Sequence, residues 1–246
     1  MDLLICIDDT DDMDSRGTGD VAELLAQGLA AEGMAACGRV TRHQLLVHPD
    51  IAYTSHNSSM CFPAQIDEEA LDPVTSWCME TLASESVEAA DPGLCVVALG
   101  RLSRPEGLVV YGREAKRRVI AKDEAYRVAG DLGVHLSEHG GTGIGVIGAL
   151  AGAGLRLSGN DGRFKGKLAI PGDEDGVARV RDIREHGVDS VRTFDGDVLG
   201  DDEPVLVGLE CKLVLLAGEA VLLVAPTNGS AAAPWAVVDR KALRSF

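Results

Sequence analysis

Short apolar runs alternate along the chain with longer stretches in which apolar residues recur at helical spacing. The first run, LLICI at Leu3–Ile7, is ended by acid, as expected for a buried strand. The stretch that begins at Asp20 has the period of an amphipathic helix ending at Gly33 or Gly38. The pattern of residues 67–90 predicts a second amphipathic helix. Further buried strands are predicted at 39–49, 58–66 and 93–100.

The same alternation continues through the middle of the chain. A helix is predicted over 113–134, with its basic residues in the first half, and another over Ile144–Ala153, where the residues are small and apolar. Near the end, 205–226 contains two apolar runs separated by AGE, which predicts two strands joined as a hairpin.

This order of elements predicts an α/β or α+β fold with mixed sheets and flanking helices. Beyond Pro171 the sequence becomes polar, with turn signals every few residues, so we predict a division at this point. The first part, residues 1–170, contains the candidate chemistry. The second part, residues 171–246, is predicted to be a smaller β-rich region.

The charge of the chain restricts its partners. Its 246 residues carry a formal net charge of −16, with a pI near 4.7. A large nucleic-acid surface needs basic stripes that release counterions from phosphates, so nucleic acid is not an expected partner. A small anionic ligand, held by a local basic patch or through a metal ion, is compatible with this charge.

The cysteines and the N-terminus predict a cytoplasmic protein. The six cysteines include no CxxC pair, which argues against a zinc ribbon, and several lie in apolar runs as buried free thiols would. Aspartate at position 2 and acid from Asp8 onward do not fit a signal peptide. No apolar stretch approaches the ~20 residues of a membrane helix, so no membrane partner is expected.

An unusual concentration of aspartates follows the first strand, within LLICIDDTDDMDSRGTGD. Carboxylates packed this closely repel one another unless a cation or water screens their negative charge. Carboxylates and water suit Mg²⁺, which is often held by one or two side chains together with phosphate oxygens. The alternative is a solvated acidic turn in which Asp14 and Ser15 cap the next element. The candidate metal ligands are Asp8, Asp9, Asp11 and Asp12.

A glycine-rich segment, HGGTGIGVIGALAGAG, precedes and enters the helix predicted at Ile144–Ala153. Glycines at the start of a helix let backbone N–H groups approach an anion, and the helix dipole favours it. The segment lacks the lysine and spacing of a Walker A loop, and close packing of a small-residue helix is the competing interpretation. The candidate nucleotide-binding residues here are Gly141, Thr142, Gly143 and Gly145.

The main concentration of positive charge lies in the first half of the helix predicted at 113–134. On an acidic protein these side chains could receive a triphosphate or pair with the aspartate loop. A solvated helix face is the alternative. The candidate phosphate-binding residues are Arg113, Lys116 and Arg117.

Together these segments resemble a known family. ICIDDTDDMDSRGTG at 5–19, RVTRHQLLVHPDIAYTSHNSS at 39–59 and GGTGIGVIGALAGAG at 140–154 look like the archaeal agmatidine (2-agmatinylcytidine) synthetases that modify an isoleucine tRNA. The resemblance covers about residues 1–170 and implies a kinase-like domain whose aspartate motif binds Mg²⁺ with ATP, with interleaved elements of a ferredoxin-like domain. In that family an OB-fold and a zinc ribbon hold the tRNA.

The chain departs from the family pattern at several positions. Asp20 and Val21 stand where the family has a threonine pair, one of which takes up phosphate; Thr18 is close by but not in the same position. TSHNS at Thr54–Ser58 replaces the family's KTRGN, and no cysteine-paired zinc ribbon or OB-fold follows. We therefore expect the nucleotide–metal core of the family without its tRNA modification.

These observations predict a Mg²⁺-dependent ATP-binding protein, an enzyme that activates or phosphorylates a small molecule. Asp8 and Asp9 are the candidate catalytic residues, and the partners are a nucleotide and an unidentified small-molecule substrate. Two alternatives stay open: a non-catalytic module that binds a nucleotide or a metal, and a protein whose acidic loop meets a basic partner. The sequence does not specify an oligomeric state.

Overall fold

The computed structural model describes residues 1–12, 15–51, 57–208, 210–229, 232–244 and 246. The chain divides into two compact units, Met1–Ser158 and Gly159–Phe246. Residues 159–170, which the sequence analysis grouped with the first part, belong to the second unit. The assignment of a kinase-like role to the first part stays a prediction.

In the residues that the structure describes, the first unit combines six strands with five helices. Its elements are β1 (Asp2–Asp8), α1 (Thr18–Ala31), β2 (Ala36–Cys37), β3 (Thr41–Gln44), β4 (Ser58–Gln65), α2 (Leu71–Glu85), β5 (Gly93–Ala98), α3 (Pro105–Ala115), α4 (Lys122–Leu132), β6 (His135–Glu138) and α5 (Gly145–Leu157). Short 3-10 turns precede α2 at Glu68–Ala70 and follow β5 at Leu99–Arg101.

The sheet of this unit has the order β6-β5-β1-β4-β3, with β2 also paired to β4, and its pairings are antiparallel. The central strand, β1, is buried from Leu3 to Asp8 because it has helices on both faces. Leu4 and Cys6 pack against α3, α4 and α5, whereas Leu3, Ile5 and Ile7 pack against α1 and α2. This period-2 division explains why the run is apolar throughout.

The second unit is mainly β structure. Its elements are β7 (Arg163–Phe164), β8 (Val177–Arg179), α6 (Val180–Arg184), β9 (Ser190–Thr193), β10 (Pro204–Leu206), β11 (Leu213–Leu216), β12 (Glu219–Pro226) and β13 (Trp235–Val237), followed by a 3-10 turn at Arg240–Leu243. Its strands run β7-β11-β12-β13-β10-β8, with β9 paired to β12; the β9–β12 and β10–β13 pairs are parallel and the others antiparallel.

The structure confirms the predicted class, a mixed α and β fold with sheets and flanking helices. The hairpin at 205–226 is confirmed for β11 and β12. Its two central residues, Ala217 and Gly218, have positive φ values of 52° and 79°, as a type I′ turn requires. The cysteines are free thiols, and apart from half-buried Cys37 they are buried. Within the described ranges, no helix is long and apolar enough to cross a bilayer.

The single helix predicted over 113–134 is wrong. Instead α3 begins at Pro105 and ends at Ala115, and α4 begins at Lys122. Between them Ile120 turns into the apolar core, with 6% of its surface exposed, and Ala121 is extended. Burying Ile120 is worth more than continuing a helix whose solvent side would carry adjacent basic residues.

Two boundaries also differ from the prediction. α1 begins at Thr18 with Gly17 as its cap, rather than at Asp20, and ends before Gly33, whose φ is 67°. The helix predicted over 67–90 begins as a 3-10 turn, and α2 ends at Glu85. Helix ends are set by local caps that hydrophobic periodicity does not report.

Helices α3 and α5 lie unusually close because glycines stand between them. A Cβ atom at Gly112 would lie 2.7 Å from the Ala151 carbonyl oxygen, and one at Gly154 would lie 2.1 Å from the Leu108 carbonyl oxygen. Neither distance is compatible with a real side chain. The small residues of α5 are therefore explained first by helix packing, as the competing interpretation of this segment proposed.

We predict that Gly154→Ala destabilises the protein whereas Gly130→Ala does not. Both positions are helical, but a Cβ at Gly130 meets nothing within 4 Å. Alanine at Gly130 should raise the free energy of unfolding by about 0.5–1 kcal/mol through helix propensity. Alanine at Gly154 should lower it by about 1–3 kcal/mol through overpacking. Urea denaturation of the two variants measures both changes, and equal changes would contradict the packing account.

Candidate functional site

The aspartate loop begins at the end of the central strand. Asp8 is the last residue of β1 and is buried, with 9% of its surface exposed. Asp9 turns the chain away from the sheet with a φ of 56°, a left-handed conformation that aspartate and asparagine adopt more readily than most residues. The Asp9 N–H donates to Asp8 Oδ1 at 3.0 Å. This turn leaves consecutive carboxylates at one edge of the sheet.

Helix α5 begins directly beside these carboxylates. The Gly145 N–H donates to the Asp91 carbonyl oxygen at 3.1 Å, which holds the first turn of the helix against the start of β5. A Cβ at Gly148 would lie only 1.6 Å from Asp8 Oδ2. Glycine is therefore required where the helix passes the carboxylate. The partial positive charge of a helix N-terminus thus faces the end of β1.

The aspartates and the start of α5 line one pocket of ≈ 190 Å³ in the first unit. Asp8, Asp9, Asp11 and Thr18 are among its polar lining residues, and several apolar side chains also line it. The remaining lining residues are Leu45, Asp50, Ile51, Asn57, Ser58, Ala115, Arg118, Val119, Ile120, Ile144, Gly145, Ile147 and Gly148.

Burial and mutual repulsion disfavour negative charge in this pocket. Burial raises the pKa of Asp8 well above its ordinary value, and the charges of Asp9 and Asp11 raise it further. The pKa of Asp9 rises to about 6, first through burial and then through the charges of Asp91 and Asp11. Asp91, between α2 and β5, is thus a fourth carboxylate of the cluster that the sequence analysis missed.

Asp11 and Asp12 occupy different environments. Asp11 is half-buried and lines the pocket, where its Oδ1 accepts a 2.8 Å hydrogen bond from Thr18 Oγ1. Asp12 is exposed and does not line the pocket; its backbone N–H donates to Ser15 Oγ at 2.9 Å. Asp14, which the alternative interpretation treated as a cap, lies outside the described residues.

Most of the predicted glycine-rich site surrounds Asp91 instead of the pocket. The N–H groups of Thr142 and Gly143 donate to Asp91 Oδ1, the second at 2.9 Å. A Cβ at Gly141, where φ is 53°, would lie 2.3 Å from the same oxygen. Of the four residues proposed in this segment, Gly145 alone is in the pocket wall.

The predicted basic residues Arg113, Lys116 and Arg117 do not line the pocket, but their neighbour Arg118 does. Its guanidinium donates to Glu114 Oε2 at 3.1 Å and to Glu124 Oε2 at 3.0 Å. These two glutamates hold Arg118 at the pocket wall without a direct bond to the aspartates. The break between α3 and α4 turns Arg118 to this side, which a continuous helix would not have predicted.

Other pocket residues carry little sequence signal. Thr18, noted from sequence only as lying near the family's threonine position, places its hydroxyl in the pocket at the start of α1. In the segment Thr54–Ser58 only Asn57 and Ser58 are described, and both line the pocket. Residues 54–56 lie outside the described ranges.

A metal cage built by protein alone is not present in the part of the chain that the structure describes. No group of three or more histidine, cysteine, aspartate or glutamate side chains is placed there to hold an ion. Magnesium usually keeps several waters and takes one or two carboxylates plus substrate phosphates. The paired carboxylates of Asp8 and Asp9 fit that partial donor set and leave the rest to a ligand.

Solved structures with this fold include TiaS, the agmatidine synthetase that acts on an isoleucine tRNA. Apo TiaS aligns with a TM-score of 0.55 and 22% identity over 73% of this chain and 41% of its own. TiaS in complex with its tRNA and ATP aligns with a TM-score of 0.56 and 21% identity over 82% and 50%. A tRNA fluorescent labeling enzyme aligns with a TM-score of 0.55 and 24% identity over 71% and 40%.

These likenesses show a TiaS-like fold. The chain spans between 40% and 50% of the length of the three structures. No protein-family model matches the sequence, and no curated protein matches it. The shared fold agrees with the resemblance seen in the sequence, while the activity of this chain requires its own argument.

We predict that Asp9→Asn stabilises the ligand-free protein at neutral pH. Because the pKa of Asp9 is raised, the folded state binds more protons than the unfolded state between about pH 4 and 6. The free energy of unfolding therefore falls as the pH rises through this window, and the full penalty from Asp9 is present above about pH 6. Asparagine keeps the left-handed turn and removes this penalty, on the order of 1–2 kcal/mol after allowance for solvent screening. Thermal unfolding of both proteins at pH 4.5 and 7.5 measures the effect.

At pH 7.5 the melting temperature of Asp9→Asn should be higher than that of the wild type. At pH 4.5 the two melting temperatures should lie closer together. The comparison between the two proteins cancels carboxylates outside the cluster, such as Glu138, whose pKa is lowered by Lys122 and which acts in the opposite direction. A stability difference that does not change between the two pH values would contradict the repulsion in this cluster.

Proposed function

We propose that the chain binds ATP with Mg²⁺ in the pocket at the end of β1 and uses it to activate or phosphorylate a small molecule. The observation that carries this proposal is the pocket wall itself, where Asp8, Asp9 and Asp11 meet the first turn of α5. Carboxylates beside a helix N-terminus form a surface that suits a cation bound to an anion.

The electrostatics of the cluster support a cation. Asp8 is buried and Asp9 is half-buried; both carry raised pKa values, and Asp11 and Asp91 are like-charged neighbours in the cluster. Arg118, the basic side chain in the pocket wall, is bonded to Glu114 and Glu124. A divalent ion held by Asp8 and Asp9 would relieve the repulsion, for which the described residues provide no ion pair to these two carboxylates. When bound, Mg²⁺ would neutralise phosphate charge during transfer.

The shape of the pocket supports a nucleotide as the source of phosphate oxygens. The pocket lining also includes the apolar side chains of Leu45, Val119, Ile120 and Ile147. Ligand sites commonly combine such an apolar lining with a few convergent polar groups that fix orientation. Under this proposal the apolar residues receive the base and sugar, and the aspartates receive the phosphates through the cation.

The solved relatives by fold support the same assignment. TiaS has been solved with ATP and with AMPCPP and agmatine. ATP as cofactor and a small molecule as second substrate are therefore within the chemistry of this fold. We assign the second substrate here to a small molecule because a net charge of −16 opposes binding of a polyanion.

Each residue has a limited role in this proposal. Asp8 and Asp9 hold the cation, and Asp11 orients the Thr18 hydroxyl toward the pocket through its 2.8 Å hydrogen bond. Gly145 and Gly148 keep the start of α5 close enough to face the phosphates. The predicted contributions of Gly141, Thr142, Gly143, Arg113, Lys116, Arg117 and Asp12 stay predictions that no contact in the pocket supports.

We predict that ATP binding measured by calorimetry depends on Mg²⁺ and on Asp9. Asp9→Asn removes one charged ligand while it preserves the left-handed turn, so the Kd for ATP with Mg²⁺ should rise about 10–100-fold. Asp12→Asn is the matched control because the substitution is the same and the side chain is exposed outside the pocket. The Kd of Asp12→Asn for ATP with Mg²⁺ should stay within about twofold of the wild-type value.

Three results would contradict the proposal. Equal Kd values for ATP in wild type and Asp9→Asn would show that the aspartate loop is not part of the site. Equal Kd values with and without Mg²⁺ would show that no cation takes part in ATP binding. Loss of binding in Asp12→Asn alone would place the site on the exposed side of the loop.

Turnover separates an enzyme from a binding module. If the chain is an enzyme, ATP and Mg²⁺ with a panel of amines, alcohols and carboxylates should release phosphate, pyrophosphate or ADP, and Asp8→Asn should abolish release without unfolding the protein. Binding without release across the panel would favour the non-catalytic alternative.

A further inference from the structure

A buried arginine lies in the second unit. Arg163 is on β7, and only 6% of its surface is exposed. Its Nε atom is buried without a hydrogen-bond partner among the described residues. A buried guanidinium normally has a carboxylate or several acceptors, because an uncompensated charge in the interior is costly.

Two more arginines lie near Arg163. In the β7–β11 pair Arg163 stands opposite Val214, and Val214 packs in one apolar cluster with Leu243. Arg240 and Arg244 flank Leu243 in the C-terminal 3-10 turn, and both are exposed. Burial lowers the pKa of Arg163, and the charges of Arg240 and Arg244 lower it further.

The C-terminal turn that carries these arginines is fixed to the sheet. The Lys241 N–H donates to Asp239 Oδ1 at 2.7 Å, which caps the turn. The Val238 N–H donates to the Leu223 carbonyl oxygen on β12 at 3.0 Å. With Leu243 buried beneath it, the turn holds its two arginines beside β7 by packing and backbone bonds. Their approach to Arg163 is therefore a property of the fold.

We propose that Arg163, Arg240 and Arg244 bind the phosphate of a small phosphorylated molecule. Guanidinium groups match phosphate oxygens in geometry and charge, and several on one anion give strong charge-assisted hydrogen bonds. A bound phosphate supplies the acceptor that Arg163 Nε lacks and offsets the repulsion among the three cations. The strongly acidic remainder of the chain favours a compact phosphate monoester over a nucleic-acid backbone.

Titration of the full chain with inorganic phosphate and with a simple phosphate monoester, at constant ionic strength maintained with chloride, tests this proposal. Thermal unfolding and calorimetry report binding. Arg163→Gln should weaken phosphate binding about tenfold or more, through loss of a charged hydrogen-bond donor. If Arg163→Gln does not fold, the double variant Arg240→Gln/Arg244→Gln, whose positions are exposed, tests the same site and should also bind phosphate more weakly.

Arg181→Gln is the matched control. It removes one positive charge from the same unit at an exposed arginine that pairs with Asp202 at 2.8 Å. Binding should be retained in this variant and also in Asp9→Asn, which disables the pocket of the first unit. Saturable binding with this pattern supports the proposal.

Other outcomes overturn it. No response to phosphate beyond that to chloride would leave the arginines without a ligand of this class. Binding that survives both Arg163→Gln and the double variant but disappears in Asp9→Asn would place the phosphate in the first unit. Arg163-dependent binding of an RNA oligonucleotide without terminal phosphates, tighter than that of the monoester, would reassign the ligand to a nucleic-acid backbone.

Discussion

The candidate site depends on repulsion between carboxylates that the fold places together and does not neutralise. Asp8 is buried at the end of the central strand, and Asp9, Asp11 and Asp91 add negative charge around it. Thr18 donates a hydrogen bond to Asp11, and backbone N–H groups donate to Asp91. The N-terminus of α5, beside Asp8, contributes only a partial charge. A fold that maintains such a cluster at a cost in stability is typical of functional sites, and a cation is the simplest group that reverses the cost.

Glycines in α5 make this arrangement sterically possible. Gly148 lets the helix pass the Asp8 carboxylate, and Gly152 and Gly154 let it lie against β1, β4 and α3. The same small residues that bring the helix onto the sheet also bring its first turn to the aspartates. The sequence analysis treated packing and anion binding as competing explanations, but the packing seen here is compatible with the proposed site.

The sequence predicted what periodicity and composition control. LLICI and GLCVVALG are central strands because both faces are covered, and the hairpin at Ala217–Gly218 follows from its turn residues. Asp8, Asp9, Asp11 and Gly145 were placed in one site because each adjoins the end of a strand or the start of a helix. Asp91 and Thr18 were missed because their roles arise from tertiary proximity, and nothing in their neighbouring residues indicates it. Arg118 belongs to the basic cluster predicted from sequence but was not chosen among its candidate residues, because the break in the helix that turns it to the pocket cannot be seen in the hydrophobic pattern.

The most direct test of the cation is a crystal structure grown with Mg²⁺ and a non-hydrolysable ATP analogue. The account predicts one octahedral ion bonded to carboxylate oxygens of Asp8 and Asp9 and to phosphate oxygens of the analogue, with those phosphates facing the first turn of α5. A nucleotide bound elsewhere, or bound here without an ion between the phosphates and these two aspartates, would contradict it.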